Sequence, residues 1–191
     1  MEPVQAARWA QLTGGRRHAA VGVDLAGSER RPTGWACLRG PAAEVRTLRT
    51  DAEIVAATLG AGARVVSIDS PLSVPAEGII RESERQLMAL RIGVYPCLLP
   101  SMRALTERGM RLKERFEAEG LRVIEGFPGA AQDVLGIARK KASVAGLRAG
   151  LEGLGLALPD RRLTHHELDA VTAALIGQCY PAGRFHALGA P

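Results

Sequence analysis

After a polar segment at residues 1–18, short hydrophobic runs alternate with turn residues. The run 19–25 is mostly apolar and is followed by small turn residues, which predicts a strand buried on both faces. Residues 33–38 and 43–48 have the composition of two further strands, and the residues between the three runs are typical of tight turns. Three strands joined by short turns predict an antiparallel meander.

The pattern then changes to alternating helices and strands. Thr50 and Glu53 have the spacing of a capping box and precede an apolar stripe that can end at Gly60, which predicts a helix. The strand predicted at 64–69 follows this helix, so the crossover favours a parallel arrangement with the first strand.

Four further elements are predicted in the second half of the chain. A long amphipathic helix begins near residue 101, and we expect most of its charged residues to form a solvated face. A strand at 121–125 and a helix at about 130–137 follow. The last helix begins with a second capping box, Thr164 with Glu167, and runs to about residue 178.

Residues 71–100 depart from this alternation. The segment is rich in proline and contains one short charged helix candidate at 79–91, so we predict an insertion over one end of the sheet. The predicted organisation is a leader at 1–18, a domain at 19–180 with an insertion at about 71–100, and a tail at 181–191.

Composition narrows the class of protein. A length of 191 residues with 47% hydrophobic residues suits one globular domain, while 4% aromatic residues supply few stacking platforms for single-stranded bases. The net charge of +5 permits a nucleic-acid partner without requiring one.

The three cysteines form no CxxC pair, which excludes a zinc ribbon and predicts reduced thiols. With no signal peptide or membrane-spanning run, we expect a cytoplasmic protein and no membrane partner.

Four acidic residues end or begin predicted elements: Asp24, Asp69, Glu125 and Asp169. An unpaired buried charge is expensive, and four carboxylates gathered in one place would repel one another. A hard divalent cation between them would remove that repulsion, so the set predicts a metal site. Taken singly, Asp24 has the context of a turn residue and Glu125 that of a strand end, whereas Asp169 lies beyond the capping positions of its helix.

The order of elements is that of the ribonuclease H-like fold. We therefore predict an α/β protein with a mixed five-stranded sheet, in which a three-strand antiparallel meander precedes parallel strands and helices flank the sheet. In such sheets, sites collect at the carboxyl ends of strands, where Asp24 and Asp69 would lie side by side.

Four motifs together resemble the domain of unknown function 429 family, over about residues 19–178. They are GVDLAGS at 22–28, IDSPL at 68–72, VIEGFP at 123–128 and HELDA at 166–170. The resemblance implies a ribonuclease H-like fold and a predicted nuclease activity, although fold alone does not imply function.

The expected chemistry is phosphodiester hydrolysis with Mg²⁺ or Mn²⁺, using two ions ~4 Å apart. Asp24 would bridge the ions, and Asp69 and Asp169 would each hold one side. Glu125 is either a fourth ligand or a support for one. His166 lies three residues before Asp169 on the same helical flank and could orient water, transfer a proton or bind metal. Alone, it is more typical of a polar residue at a helix N-terminus.

Candidates for substrate binding are the hydroxyls next to two of the acids and basic residues in two segments. The hydroxyl groups could bind a phosphate or fix a carboxylate rotamer. The insertion arginines could cover the site or form ordinary surface ion pairs. The basic pair would contact phosphates if it lies near Asp69. These candidates are Ser28, Ser70, Arg81, Arg85, Lys140 and Lys141.

Two alternative functions remain open. The first is an actin-like ATPase or sugar-kinase relative. Such enzymes need a second domain and a second glycine-rich phosphate loop, whereas Asp69 is followed by Ser-Pro-Leu. The second is a non-catalytic module that binds nucleic acid or protein on the same scaffold. The set of four carboxylates favours the metal-dependent hydrolase, and the oligomeric state stays open.

Overall fold

The computed structural model describes residues 3–189; residues 1–2 and 190–191, at the ends of the predicted leader and tail, lie outside the described residues. The described strands are β1 (Ala19–Asp24), β2 (Thr33–Arg39), β3 (Ala42–Leu48), β4 (Val65–Asp69) and β5 (Arg122–Glu125). The described helices are α1 (Pro3–Thr13), α2 (Asp51–Gly60), α3 (Glu82–Ala89), α4 (Pro100–Ala118), α5 (Pro128–Val134), α6 (Val144–Gly153) and α7 (His165–Cys179).

The strands form one mixed sheet in the order β3-β2-β1-β4-β5. The first three strands are antiparallel neighbours, whereas β4 pairs parallel with β1 and β5 pairs parallel with β4. The predicted meander followed by parallel strands is confirmed. The register places Asp24 directly opposite Asp69, which brings the ends of β1 and β4 together.

The two faces of the sheet support separate hydrophobic layers. Because side chains alternate along a strand, Val21 and Val23 pack on the side of α2 and α4, while Ala36 and Leu38 pack on the side of α1, α6 and α7. Burying both faces explains why β1 and β2 are apolar almost throughout.

Helix α7 lies in direct backbone contact with the sheet. A Cβ atom at Gly22 would be 2.1 Å from the carbonyl oxygen of Ala170, and one at Gly34 would be 2.0 Å from that of His166. Only glycine allows this approach at the two positions. The helix is buried along most of its length, which agrees with the largely apolar run after its first turn. Its amino-terminal half is therefore fixed next to the end of β1.

Three differences from the predicted elements concern helices. Helix α3 is shorter than the candidate at 79–91. Helix α1 lies within the predicted leader, and its Trp9 is 4% exposed and donates through Nε1 to Gln178 Oε1 at 3.0 Å. Helix α6 was not predicted because its glycines lower helix propensity, yet Leu147 and Leu151 anchor it in the core. No described helix is long and apolar enough to cross a membrane.

Arg108 is an exception among the charged residues of α4, most of which were predicted to be solvated. This arginine is only 1% exposed. Its guanidinium donates to Asp51 Oδ1 at 2.7 Å and to the carbonyl oxygens of Ala26 and Arg49 at 2.7 and 2.6 Å. A guanidinium with a partner at each of its three nitrogens tolerates burial, and here it fixes the loop that follows Asp24.

Candidate metal centre

Asp24 and Asp69 lie at the carboxyl ends of adjacent parallel strands. Asp24 shares a sheet face with Gly22 two residues earlier, and Asp69 shares one with Ser67. Gly22 faces α7, because a Cβ atom there would meet the α7 backbone. Ser67 also faces α7, because a Cβ atom at Gly177, on α7, would meet the Ser67 side chain. The two carboxylates therefore point to the side of the sheet on which α7 lies.

The pKa of the Asp69 carboxyl reflects the charges at the ends of β1 and β4. Burial raises the pKa of its carboxyl well above the ordinary value, and the charges of Asp24 and Asp169 raise it further. The ammonium of Lys140 acts in the opposite direction. Three aspartates from β1, β4 and α7 are thus close enough to affect one another electrostatically.

Asp169 is 3% exposed and both of its carboxylate oxygens have partners. The side chain of Gln132, on α5, donates to Oδ1 at 2.8 Å and also to Thr172 Oγ1 at 3.2 Å. Lys140 Nζ lies 2.5 Å from Oδ2. Burial alone would lower the pKa of Lys140, but the bond to Asp169 and the charges of Asp24 and Asp69 raise it, so the amine is held as an ammonium.

Asp24 is paired with His166, whose Nδ1 lies 2.6 Å from Oδ2 of the aspartate. Both residues are placed by the contact of α7 with β1 and β2. The ring of His165 packs against that of His166 with centroids 4.0 Å apart. Burial and the charges of His166 and Lys140 lower the pKa of His165, which therefore favours its neutral form. His166 orients the Asp24 carboxylate.

Glu125 belongs to the opposite face of the sheet. It pairs with Ile68, whose side chain packs in the layer of α2 and α4. Both oxygens of Glu125 accept from Arg81, with Nη1–Oε2 and Nη2–Oε1 each at 2.7 Å, and Oε2 also accepts from the backbone N–H of Leu72 at 2.8 Å. The Glu125 carboxylate thus anchors the segment 71–100 to the end of β5.

Arg81 also binds Glu84 within that segment. Its Nε donates to Glu84 Oε1 at 2.9 Å, and the same oxygen accepts from the backbone N–H of Cys97 at 3.0 Å. Glu84 is fully buried and Arg81 is 9% exposed. Predicted as a substrate-binding residue, Arg81 has its guanidinium occupied by two carboxylates.

A cleft of about 310 Å³ connects the three aspartates with the insertion. Of the candidate residues, Lys140, Lys141, Ser70 and Glu125 also line it, but Ser70 donates its hydroxyl to the carbonyl oxygen of Leu105 at 3.1 Å. Ser28 and His166 line a second, neighbouring cavity, from which His166 contacts Asp24. Exposed Arg85 lines neither cavity and pairs with Glu82 at 3.7 Å.

The sequence did not indicate Gln132 and Arg108 as residues that support the site, and it offered Arg139 only as part of the basic stretch 139–141. Arg139 lines the cleft and is paired with Asp133 through Nε–Oδ1 at 2.7 Å. A polar residue within the predicted helix at 130–137 was a weak indication for Gln132. Nothing local distinguishes Arg108 from the exposed arginines of the same helix.

The donor chemistry of the three aspartates suits Mg²⁺ or Mn²⁺, since both prefer carboxylate oxygens. As the side chains stand, no group of three or more His, Cys, Asp or Glu residues within 3–189 is arranged to hold a metal ion. Two carboxylate oxygens that a cation would use already have other partners. Oδ2 of Asp24 is bound to His166, and Oδ2 of Asp169 is bound to Lys140.

No protein-family model matches the chain, and no curated protein matches it. Among solved structures, it is similar to T. thermophilus RuvC in complex with a Holliday junction substrate, with 15% identity, a TM-score of 0.50, and coverage of 91% of this chain and 99% of that one. A second Thermus thermophilus RuvC structure has 15% identity, a TM-score of 0.49, and coverage of 86% and 96%.

At this identity the likeness concerns the fold. The chain has a ribonuclease H-like fold, which confirms the predicted fold class. Membership of the domain of unknown function 429 family stays a prediction from the four motifs, since no family model matches.

Proposed function

We propose that this protein is a divalent-metal-dependent phosphodiester hydrolase that acts on nucleic acid, as the resemblance to the domain of unknown function 429 family implies. One observation carries the proposal. Asp24, Asp69 and Asp169 come from three separate elements and meet at one edge of a ribonuclease H-like sheet, where two of them raise the pKa of the third.

The three aspartates would hold Mg²⁺ or Mn²⁺, in one or two positions. When bound, such an ion supplies a reactive hydroxide and neutralises charge on a phosphoryl oxygen. His166 keeps the Asp24 carboxylate in one orientation, and Gln132 does the same for Asp169. Glu125 has the supporting role, one of the two predicted for it, because it anchors the insertion through Arg81.

The basic side of the cleft supports a polyanionic substrate. Lys140 and Lys141 line the same cleft as the aspartates, and Arg139 lies beside them. Phosphate contacts from such residues position a nucleic acid without reading its sequence. Exposed Lys141 is the residue most available for a phosphate in the present arrangement.

A non-catalytic nucleic-acid-binding module is the second candidate. It is favoured by the finding that no preformed group of metal ligands is present among residues 3–189. The actin-like ATPase alternative has no comparable support, because Asp69 is followed by a buried Ser-Pro-Leu segment rather than a glycine-rich phosphate loop.

A cleavage panel tests the hydrolase. Single strands, duplex DNA, RNA, an RNA–DNA hybrid and a four-way junction are incubated with Mg²⁺ or Mn²⁺; the junction is included because T. thermophilus RuvC was solved with a Holliday junction substrate. We expect metal-dependent cleavage of at least one substrate. Asp24→Asn should reduce it more than about 100-fold, since even residues that merely support metal ligands affect activity by about 10–100-fold.

Asp160→Asn is the matched control, because Asp160 is exposed and lies outside the cleft. It should retain wild-type activity. Equal cleavage by Asp24→Asn would exclude this site as the catalytic centre. Binding of a substrate with no cleavage under either metal would support the non-catalytic module.

A further inference from the structure

Lys140 reaches the acidic cluster from a loop. It lies between α5 and α6 in a stretch without regular structure, whereas the three aspartates come from β1, β4 and α7. Its Nζ is 2.5 Å from Asp169 Oδ2, and its side chain is 35% exposed. The acids are therefore held by the core of the fold, while their ammonium partner sits on a flexible four-carbon stem.

The ammonium compensates part of the negative charge of the acidic cluster. Asp24, Asp69 and Asp169 each act on Lys140 electrostatically. The neighbouring Arg139 gives its charge-assisted bonds to Asp133 instead. Lys140 thus occupies the role that a cation has among mutually repelling carboxylates.

The two carboxylate oxygens of Asp169 have different partners, and only one of these partners would have to leave for a metal ion to bind. Gln132 donates to Oδ1 and is fixed by a second bond to Thr172, on α7 itself. Oδ2 accepts from Lys140. A divalent cation can use Oδ2 only if the ammonium leaves, and Gln132 need not move.

We propose that Lys140 is an internal counter-ion of the centre, which holds Asp169 in the metal-free protein and is displaced from it when a divalent cation binds. This inference rests on the proposed function. Once displaced, the ammonium remains in the cleft beside Lys141, where the phosphates of a substrate would lie. Metal loading would thereby convert Lys140 from a partner of Asp169 into a phosphate-binding residue.

Calorimetric titration with Mn²⁺ tests the competition without relying on activity. Lys140→Met keeps much of the side-chain volume but removes the charge, and Lys141→Met is the matched control. We expect Lys140→Met to bind Mn²⁺ at least about tenfold more tightly than wild type, because a positive charge at a metal ligand is removed. Lys141→Met should stay within about twofold of wild type, since exposed charges interact weakly.

The outcomes separate this inference from the proposed function. If wild type and Lys140→Met bind Mn²⁺ equally, or the variant binds more weakly, Lys140 does not compete and the inference fails while the metal centre stands. If neither binds Mn²⁺, the metal centre itself is refuted, and the inference with it. Asp169→Asn should abolish the measured heat, which shows that the titrated site is this one.

Amine labelling gives a direct readout of displacement. Wild-type protein is treated briefly with an acylating reagent with and without Mg²⁺, and the modified peptides are measured by mass spectrometry. The reactivity of Lys140 relative to Lys141 should rise several-fold with Mg²⁺, because the ammonium loses its partner. An unchanged ratio at saturating Mg²⁺ would show that Lys140 stays on Asp169 and would overturn the inference.

Discussion

The two sides of the cleft are built in different ways. On one side, α7 lies against β1 and β2 with backbone atoms in contact at Gly22 and Gly34. On the other side, the segment 71–100 contains only one short helix and is joined to the sheet through Arg81. That segment also carries five exposed large hydrophobic side chains: Val74, Ile79, Met88, Leu90 and Tyr95.

The difference shows how this fold separates rigidity from adaptability. Close packing of backbone against backbone leaves α7 no room to shift, so Asp169 and His166 have fixed positions. The insertion depends on a few ion pairs and hydrogen bonds, so it can loosen without disturbing the sheet. Substitutions on the two sides should therefore have different consequences, global on the α7 side and local on the insertion side.

The largest effect is expected from Gly22→Ala. The new methyl group would lie 2.1 Å from one α7 backbone atom and 2.2 Å from another, so the helix must move away from β1. We expect the free energy of unfolding to fall by more than about 3 kcal/mol, measured by urea denaturation.

Gly60→Ala is the control, because a Cβ there would meet nothing within 4 Å. It should be neutral or stabilising by less than about 1 kcal/mol. A Gly22→Ala protein with wild-type stability would mean that α7 does not depend on contact at this position.

A smaller, local effect is expected from Arg81→Met. The change leaves fully buried Glu84 and partly exposed Glu125 without their shared cation, at a cost of about 2–3 kcal/mol. Hydrogen exchange should increase in residues 71–100 while α7 stays protected, and limited proteolysis should cut within the same segment.

Arg85→Met provides the comparison on the same helix, since Arg85 is exposed and its ion pair with Glu82 is long, at 3.7 Å. It should change stability by less than about 0.5 kcal/mol. Equal loss of protection in α7 and the insertion after Arg81→Met would contradict the separation of the two sides.

The smallest predicted effect concerns pH and the start of α7. Burial would raise the pKa of Glu167, but the ion pair with Arg161 and the backbone N–H of Thr164 outweigh it, and the pKa is lowered. The native state therefore binds its proton less readily than the unfolded chain. The stabilisation is present above the unfolded pKa of 4.5 and is lost as pH falls through the lower folded value.

Glu167→Gln should therefore be less stable than wild type by about 1 kcal/mol at pH 7, with the difference shrinking below pH 4.5. Thermal unfolding at several pH values measures this. Glu53→Gln in the exposed capping box of α2 is the matched control and should show a smaller pH dependence. A constant difference between wild type and Glu167→Gln from pH 7 to pH 3 would refute the assignment.

Local patterns predicted most of the fold. Both predicted capping boxes are present, with the side chain of Thr50 accepting from Glu53 N–H and that of Thr164 from Glu167 N–H. The strands were found within a residue or so of their predicted bounds because their apolar runs are short and end at turn residues. Helix α1 was missed because it lies in a mostly polar segment, and its contact with the core is made by Trp9 with Gln178, far away in the chain.

The sequence by itself determined the five strands, most of the helices and the mixed sheet class, and it singled out Asp24, Asp69 and Asp169 as candidates, since strand ends and helix faces follow from local periodicity. Tertiary structure alone decided the rest. The register of β5 against β4 put Glu125 on the opposite face from the aspartates. Side-chain partners from distant segments then assigned Arg81 to Glu125 and Lys140 to Asp169. These pairings depend on contacts in space that no local pattern encodes.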